Sequence, residues 1–289
     1  MSDVRQSAEY VRWMESLGWQ VARLGNNVIY VKKLSFVGSV VKLLRPVEPI
    51  DFAQIEKVAR ENRALFVKIE PDISADLRRL EIDLAKNGYK EEKWALLPTV
   101  SLRVDIAKQE KEIFLGFSKD RRYEIRKAKA NNLKVEKNNF DKFYDLLLVA
   151  NKKKGLWTFP KKQFEKLVLS FGKNIFCLGM YGDNDDKYVA GNLVLVNGKT
   201  AYYFLAGSLP EGKEKHAPSL AVWQAMLEAK RRHCAVWDFE GLIDRRIPST
   251  KHWEGFSRFK KGFAGEEVAF PGSFTKYFNP ILKQLSRFF

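Results

Sequence analysis

The sequence predicts an α+β fold in two halves, each a meander of strands with helices laid across it. Some short segments alternate polar and apolar residues, while others repeat apolar residues at helical spacing. Strands and helices follow one another in mixed order, without a strict series of strand, helix and strand. The length of 289 residues corresponds to two domains of about 150 residues each. No sequence repeat relates the two halves.

Helix and strand alternate through the first half. Gly25 to Asn27 predict a tight turn between two strands. Asp51 predicts the N-cap of a helix that carries Phe52 and Ile55 on one face. Helices are predicted over residues 6–17, 51–59 and 74 or 76 to 86, and strands over 19–24, 28–33, 40–44, 65–69 and 94–105, the last interrupted at Pro98.

The second half begins with helices and continues as a meander. Helices are predicted over residues 108–116, 118–131, 140–154, 160–171 and 217–233, and strands over 133–136, 175–181, 188–196, 200–206 and 235–239. Gly207 and Ser208 are predicted to form a turn. The acidic residues Asp183 to Asp186 predict a hairpin loop, because they lack the Gly and Glu of an EF-hand calcium loop.

The charge indicates a polyanionic partner. Fifty-one Lys and Arg residues against 35 Asp and Glu give a net charge of +16, which favours nucleic acid or an anionic membrane surface. Much of the surplus is local: residues 118–137 hold eight basic and three acidic residues, and residues 151–173 seven basic and one acidic. These windows predict a phosphate-binding surface, with solvated helix faces as the alternative.

No segment is apolar enough to predict a membrane span. The longest candidate, Val28 to Leu44, is interrupted by three lysines, and the first residues lack the apolar core of a signal peptide. We therefore expect a protein of the cytoplasm. Cys177 and Cys234 are predicted to be buried thiols. The three histidines lack ligand spacing, so no metal is expected.

Two stretches carry candidate chemistry. The helix at 118–131 places Arg122, Arg126 and Lys129 at i, i+4 and i+7, a basic stripe that suits tRNA or a nucleotide diphosphate. A solvent-exposed helix face is an equal alternative. The stretch Trp253 to Phe263 interleaves aromatic residues with cations, so that a charged amine next to apolar walls could stabilise an oxyanion. Its alternative is a surface loop with snorkelling lysines. The sequence has no G-x-G-x-x-G, P-loop, G-x-S-x-G or H-E-x-x-H motif.

Several strings together resemble the FemABX aminoacyltransferases in order and spacing, over nearly the whole chain. They are Asp105-Ile106, Ser118-Lys119-x-x-Arg122-x-x-Ile125-Arg126-Lys127-Ala128, Tyr202 to Ser208, Ala217-Pro218, Trp237-Asp238-Phe239-x-Gly241 and Arg258-Phe259-Lys260-x-Gly262-Phe263-x-Gly265. The resemblance implies two tandem GNAT-like (acyl-CoA N-acyltransferase-like) subdomains, in the compact form without a helical arm. The first would take residues 1–104 and about 268–289, and the second residues 105–267 with the transfer site.

The resemblance also implies an activity. Family members move an amino acid from aminoacyl-tRNA to an amine of a peptidoglycan stem peptide, building the interpeptide bridge. This aminolysis needs no metal and no cofactor beyond the tRNA co-substrate. The family motif assigns Lys260 to oxyanion stabilisation and Phe259 to the pocket wall. Asp238 and Asp105 are candidate helpers or proton acceptors, or else a cap or an ion-pair partner.

The residues for the acceptor follow the family pattern only in part. Arg12 aligns with a family lysine that contacts the acceptor's phosphate, whereas Phe159, Gln163 and Leu205 replace polar family residues. Lys153, Lys154, Lys161, Lys162 and Tyr203 are candidate substitutes. A lipid-linked precursor therefore becomes as good a candidate as a nucleotide-linked one. The basic, aromatic end from Lys276 to Phe289 would suit a transient contact at the inner membrane face, with a packed terminal helix as the alternative. We expect a monomer.

Two alternatives remain open. A CoA-dependent N-acyltransferase of the same fold would carry a Gly-rich pyrophosphate loop before the Ala217 helix, whereas residues 207–214 contain two acids and no close pair of glycines. A non-catalytic tRNA- or RNA-binding module would use the basic stripes without the Lys260 pocket.

Overall fold

The computed structural model describes residues 3–73, 76–131, 133–182 and 187–285. Its helices are α1 (Ala8–Ser16), α2 (Phe52–Glu61), α3 (Leu77–Lys86), α4 (Glu110–Gly116), α5 (Lys119–Ala130), α6 (Phe140–Lys152), α7 (Lys161–Phe171), α8 (Pro210–Glu214), α9 (Ala217–Arg231), α10 (Glu254–Lys261) and α11 (Pro280–Leu285). Its strands are β1 (Gln20–Leu24), β2 (Asn27–Leu34), β3 (Gly38–Leu44), β4 (Ala64–Glu70), β5 (Lys90–Glu92), β6 (Val100–Asp105), β7 (Val135–Lys137), β8 (Ile175–Tyr181), β9 (Tyr188–Asn197), β10 (Thr200–Ser208), β11 (Val236–Gly241), β12 (Glu266–Ala269) and β13 (Ser273–Tyr277).

The chain divides into two units, each with its own sheet. The first contains the described residues up to Val100, the segment Ile243–His252 and the residues from Ala269 onward; the second contains Ser101–Leu242 and Trp253–Val268. The division expected from the sequence differs at Ile243–His252, which it placed in the second subdomain.

Hydrogen bonds explain why this segment belongs to the first unit. The Thr99 hydroxyl donates to the carboxylate of Asp244 at 2.5 Å. Arg246 donates to the backbone carbonyl of Phe270 at 3.0 Å. Both partners lie in the first unit, far away in sequence, so short-range patterns did not indicate them.

In the first unit, a six-stranded sheet has the order β1-β2-β3-β4-β13-β5. Strands β3 and β4 pair in parallel, and the other neighbours are antiparallel. The helix predicted at Asp51 is confirmed, since its carboxylate accepts the Gln54 amide at 2.9 Å and caps α2. Helices α2 and α3 bury Ile55 and Leu80 in the core cluster with sheet residues such as Val41. Strand β13, which comes from much later in the sequence, lies between β4 and β5.

The second unit contains a seven-stranded sheet in the order β12-β6-β11-β10-β9-β8-β7. Its central strands β10 and β11 are parallel, but they pair only from Thr200 opposite Val236 to Tyr202 opposite Asp238. Beyond these residues the register of β10 shifts after Tyr203, and that of β11 shifts after Asp238. The two strands therefore stop pairing in the middle of the sheet, where the candidate site lies.

The predicted strand at 94–105 is wrong in its first part, and only β6 forms. Buried side chains form hydrogen bonds with backbone groups that would otherwise pair with a neighbouring strand. Lys68 donates to the Trp94 carbonyl at 2.7 Å, and the Glu70 carboxylate accepts the Leu96 amide at 2.5 Å. These bonds hold the segment off the sheet.

The structure overturns one turn prediction and one open alternative. Gly207 and Ser208 are the last residues of β10 and do not form a turn. A Cβ atom at Gly207 would lie 3.2 Å from Cγ of Leu146 on α6, so the glycine allows close packing of helix on strand. The alternative of a surface loop at 253–263 is replaced by α10, which buries Ser257 and Lys260.

Other expectations have mixed outcomes. Cys177 and Cys234 are buried free thiols, as predicted; burial raises the pKa of Cys234 to about 11. None of the helices in the described ranges is long and apolar enough to cross a bilayer. The longest described helix, α9, has 15 residues, so the described residues contain no long helical arm. The predicted acidic loop at 183–186 lies outside the described residues.

Candidate active site

Lys260 lies on α10 with its amine turned into the second unit. Only 9% of its surface is exposed, and Nζ donates to the backbone carbonyl of Gly241 at 2.6 Å. Helix α10 is amphipathic: Ser257 and Lys260, three positions apart, face inward, while Arg258 and Lys261 are exposed. A lysine on a buried helix face is unusual, because burying a charge without a full ion pair is costly.

Asp238 lies three residues before the carbonyl that binds Lys260. Its carboxylate accepts the Glu240 amide at 2.8 Å, the guanidinium of Arg103 at 2.8 Å and the hydroxyl of Ser101. Glu240 has φ +59°, so the chain turns sharply after the strand register shifts. Asp238 therefore acts here as an ion-pair partner that shapes the turn before Gly241.

The other carboxylate singled out in the sequence, Asp105, has a local contact. It is exposed at the end of β6, and its side chain accepts the Ala107 amide at 2.9 Å. This bond is a cap of the following turn. The cap interpretation is thus supported for Asp105.

Aromatic rings form the wall beside the Lys260 amine. Nζ lies 4.9 Å from the ring centroid of Phe256 and 5.9 Å from that of Tyr203. The Tyr203 ring packs on Trp237 at 5.8 Å between centroids and on Phe239 at 5.5 Å. The structure thus brings Tyr203 and Lys260 together next to the point where β10 and β11 stop pairing.

The ring of Phe259, which the family motif assigns to the pocket wall, has other neighbours, and its role in the pocket stays a prediction. Its ring lies 5.4 Å from Phe263 and 4.8 Å from the guanidinium carbon of Arg121, whereas Phe256 contacts the amine. Neighbouring residues on a helix point about 100° apart. Phe256, four positions before Lys260, therefore lies on the same side of the helix as the amine.

Burial controls the charge of the site. Desolvation lowers the pKa of Lys260 to about 8, while the negative charges of Glu240 and Asp238 oppose the shift. At pH 7 the amine is still mostly protonated. Burial raises the pKa of Tyr203, so its hydroxyl stays protonated as well. Among the described residues, the buried indole nitrogen of Trp237 has no hydrogen-bond partner. The site therefore combines one ammonium with a mostly apolar wall, where electrostatic interactions are strong.

The basic stripe of α5 lies partly over α4. Arg122 donates to the Leu115 carbonyl at 2.5 Å, and the guanidinium carbon of Arg126 lies 5.7 Å from the Phe114 ring centroid. Lys129 is exposed. Two of the three cations therefore already have contacts within the second unit, and their role in phosphate binding stays a prediction.

The sequence patterns did not single out Arg121, which makes several contacts within the second unit. It contacts Glu124 at 2.5 Å and Ser219, at the start of α9, at 2.9 Å. Gly262 makes room for it, since a Cβ atom there would lie 2.6 Å from Cγ of Arg121. The glycine of the Phe-Lys-x-Gly-Phe string was the available signal, but its partner could not be identified from spacing.

The candidate acceptor residues lie in different units. Arg12 is exposed on α1 of the first unit and pairs with Glu9 at 3.2 Å. Lys153 and Lys154 are exposed after α6 in the second unit. Desolvation and the nearby charge of Lys213 lower the pKa of Lys154. The second unit therefore has a local concentration of positive charge at this loop.

The fold is that of a tandem GNAT-like structure. The chain is similar to the crystal structure of FemX, with a TM-score of 0.81 at 16% identity, over 98% of this chain and 94% of that one. It is also similar to the C-terminal domain of a putative lysylphosphatidylglycerol synthetase from Agrobacterium fabrum, with a TM-score of 0.63 at 17% identity, over 98% and 90% of the two chains. A third similar structure is a tandem GNAT protein from the clavulanic acid biosynthesis pathway. Its TM-score is 0.53 at 10% identity, over 89% of this chain and 81% of that one. The predicted fold class is confirmed.

Sequence comparison supports the particular family. Residues 177–289 match the FemAB family model. A stretch of 128 residues is 27% identical to a protein from Staphylococcus haemolyticus named lipid II:glycine glycyltransferase. That match covers 39% of this chain and 30% of the relative. Together with the fold, these findings support the resemblance to the FemABX family seen in the sequence.

Proposed function

We propose that the protein is an aminoacyltransferase that moves an amino acid from aminoacyl-tRNA to an amine of a peptidoglycan precursor stem peptide. The observation that carries the proposal is the buried ammonium of Lys260, held at 2.6 Å by the Gly241 carbonyl within the family's Phe-Lys-x-Gly-Phe string. The matches to the FemAB family and to a glycyltransferase support the reaction class.

The proposed reaction is the aminolysis of an ester. The neutral acceptor amine attacks the ester carbonyl, and the electron pair of the C=O bond moves to oxygen. This attack forms the new C–N bond. The C–O bond to the tRNA ribose then breaks, and the proton lost by the amine ends on the ribose oxygen. The protonated Lys260 stabilises the oxyanion between these steps. The burial of Lys260 and its aromatic neighbours Phe256 and Tyr203 lower the local dielectric and strengthen this interaction.

Several features support tRNA as the donor. The net charge of +16 suits a polyanion, and the cations of α5 together with the Lys153 and Lys154 loop offer exposed positive charge. We assign Arg122, Arg126 and Lys129 to the tRNA backbone. Arg12, Tyr203, Lys153 and Lys154 remain our candidates for the acceptor.

We further propose a lipid-linked precursor as the acceptor. The curated relative is named for lipid II. Phe159 stands where the family has a polar residue, and its ring is 6.2 Å from that of Phe164 in an aromatic cluster.

The connection between β10 and α9 argues against a CoA donor. Its residues form the short helix α8, which contains Glu211 and Glu214. Carboxylates at this place repel a pyrophosphate that α9 would otherwise hold at its N-terminus. Acetyl-CoA nevertheless belongs in the assay as a competing donor.

The decisive experiment measures the transfer of radiolabelled amino acids from a charged tRNA pool to lipid-linked and nucleotide-linked precursors. Wild type is compared with Lys260→Ala and with Lys261→Ala, a matched control on the same helix whose amine is exposed and paired with Glu267. We expect transfer by the wild type and the control, with a loss of 100-fold or more, roughly, in Lys260→Ala, while tRNA binding persists. Transfer by Lys260→Ala at the wild-type rate, or labelling from acetyl-CoA alone, would overturn the proposal.

A further inference from the structure

The hairpin that joins β2 and β3 ends in an exposed apolar tip. Leu34 is 39% exposed, Val37 62%, and Phe36 is fully exposed at 105%. The loop is short: Leu34 still pairs with Gly38, and the Val37 amide donates to the Leu34 carbonyl at 3.2 Å. Three apolar side chains therefore project from the end of a hydrogen-bonded hairpin.

Phe36 contributes nothing visible to folding. It has φ +63°, a left-handed conformation that is unfavourable for a bulky aromatic residue and is normally left to Gly or Asn. Its side chain is fully exposed and therefore buries no apolar surface. A residue that is unfavourable both in conformation and in hydration points to a ligand that covers it.

The surroundings of the tip are cationic. Lys32 and Lys33 directly precede the tip, and no acidic residue lies between Val28 and Val47. Lys33 is exposed directly before Leu34. Arg63 is also exposed, and its carbonyl accepts the Ser39 amide at 3.1 Å, which places it beside the start of β3. An apolar tip with cations behind it matches a bilayer interface, in which acyl chains lie beneath anionic headgroups.

We propose that the β2-β3 hairpin tip, Leu34 to Val37, inserts into the interface of anionic lipid membranes. A second copy of the chain is a poorer partner, because specific protein interfaces bury about 800 Å² on each side and four residues at a hairpin end offer far less. The inference concerns docking only and stands whether or not Lys260 carries out transfer. Membrane docking would bring the chain to any lipid-linked acceptor.

The test uses the full chain and vesicles of phosphatidylcholine with and without phosphatidylglycerol. In co-sedimentation, we expect the wild type to bind the anionic vesicles. Phe36→Ser should weaken binding about tenfold, and Lys33→Gln about fivefold. Leu169→Ser is the matched control, since Leu169 is 80% exposed on α7 and should leave binding unchanged. Thermal unfolding checks that each variant is folded.

A spectroscopic readout locates the contact. Phe36→Cys can be labelled with a polarity-sensitive fluorophore, because Cys177 and Cys234 are buried. Anionic vesicles should shift its emission to the blue, and a label at Leu169→Cys should not respond. Three results would each overturn the proposal: no binding by the wild type, equal binding by Phe36→Ser, or self-association through the tip without lipid binding.

Discussion

Replacing Lys260 by methionine should stabilise the protein and abolish its activity. Burial lowers the Lys260 pKa from 10.5 to about 8, and each pKa unit corresponds to about 1.4 kcal/mol. The protonated side chain therefore destabilises the fold by about 3 kcal/mol below pH 8. A methionine side chain has a similar volume and carries no charge, so it removes this penalty. It also loses the hydrogen bond to the Gly241 carbonyl, and this loss cancels about 1 to 2 kcal/mol of the gain. We expect a net gain of about 1 to 2 kcal/mol at pH 7.

The pH dependence makes this prediction specific. Between pH 8 and 10.5 the unfolded chain still binds the Lys260 proton while the folded chain has released it. Stability rises with pH wherever the unfolded state binds more protons, so the wild type gains stability across this window. Lys260→Met lacks this contribution. Its advantage should be largest below pH 8 and should shrink as pH approaches 10.5.

Urea unfolding, followed by tryptophan fluorescence at several pH values, measures both effects. Lys261→Met serves as the control, and because this lysine is exposed its free energy of unfolding should change by no more than about 0.5 kcal/mol. Transfer assays on the same samples should show that the more stable Lys260→Met is inactive. The reasoning is refuted if Lys260→Met is less stable than the wild type at pH 7, or if the stability difference does not vary with pH.

Three further predictions follow from the same structure. Since the oxyanion needs the ammonium form, kcat/KM for transfer should fall above a pKa near 8; a profile flat to pH 10 would contradict this role of Lys260. Asp238→Asn should lower stability by about 2 to 3 kcal/mol, because it weakens the bond to Arg103 in a buried site, and an unchanged urea midpoint would argue against it. Gly191→Ala should destabilise by about 1 to 3 kcal/mol, since its Cβ would lie 2.7 Å from the Leu178 carbonyl oxygen; thermal unfolding at the wild-type temperature would show that the sheet can adapt.

The sequence alone determined most of the elements and the candidate lysine. Strand alternation and helical spacing are local patterns, and they predicted α2, α5, α9 and the strands β1 to β4 and β7 to β11 to within a few residues, but not β5, β12 or β13. Lys260 was found because its string is contiguous, so no tertiary contact was needed to identify it. The charge windows are likewise properties of composition.

Only the tertiary structure decided what surrounds that lysine. Strand β13 joins the first sheet between β4 and β5, a pairing of residues far apart in sequence that no local pattern encodes. Phe256 lies beside the amine because it stands about one helical turn before Lys260. The contacts of Arg121 and the Gly241 carbonyl depend on α9 and on a turn in β11. Local periodicity specifies which residues face inward, whereas long-range packing specifies what they meet.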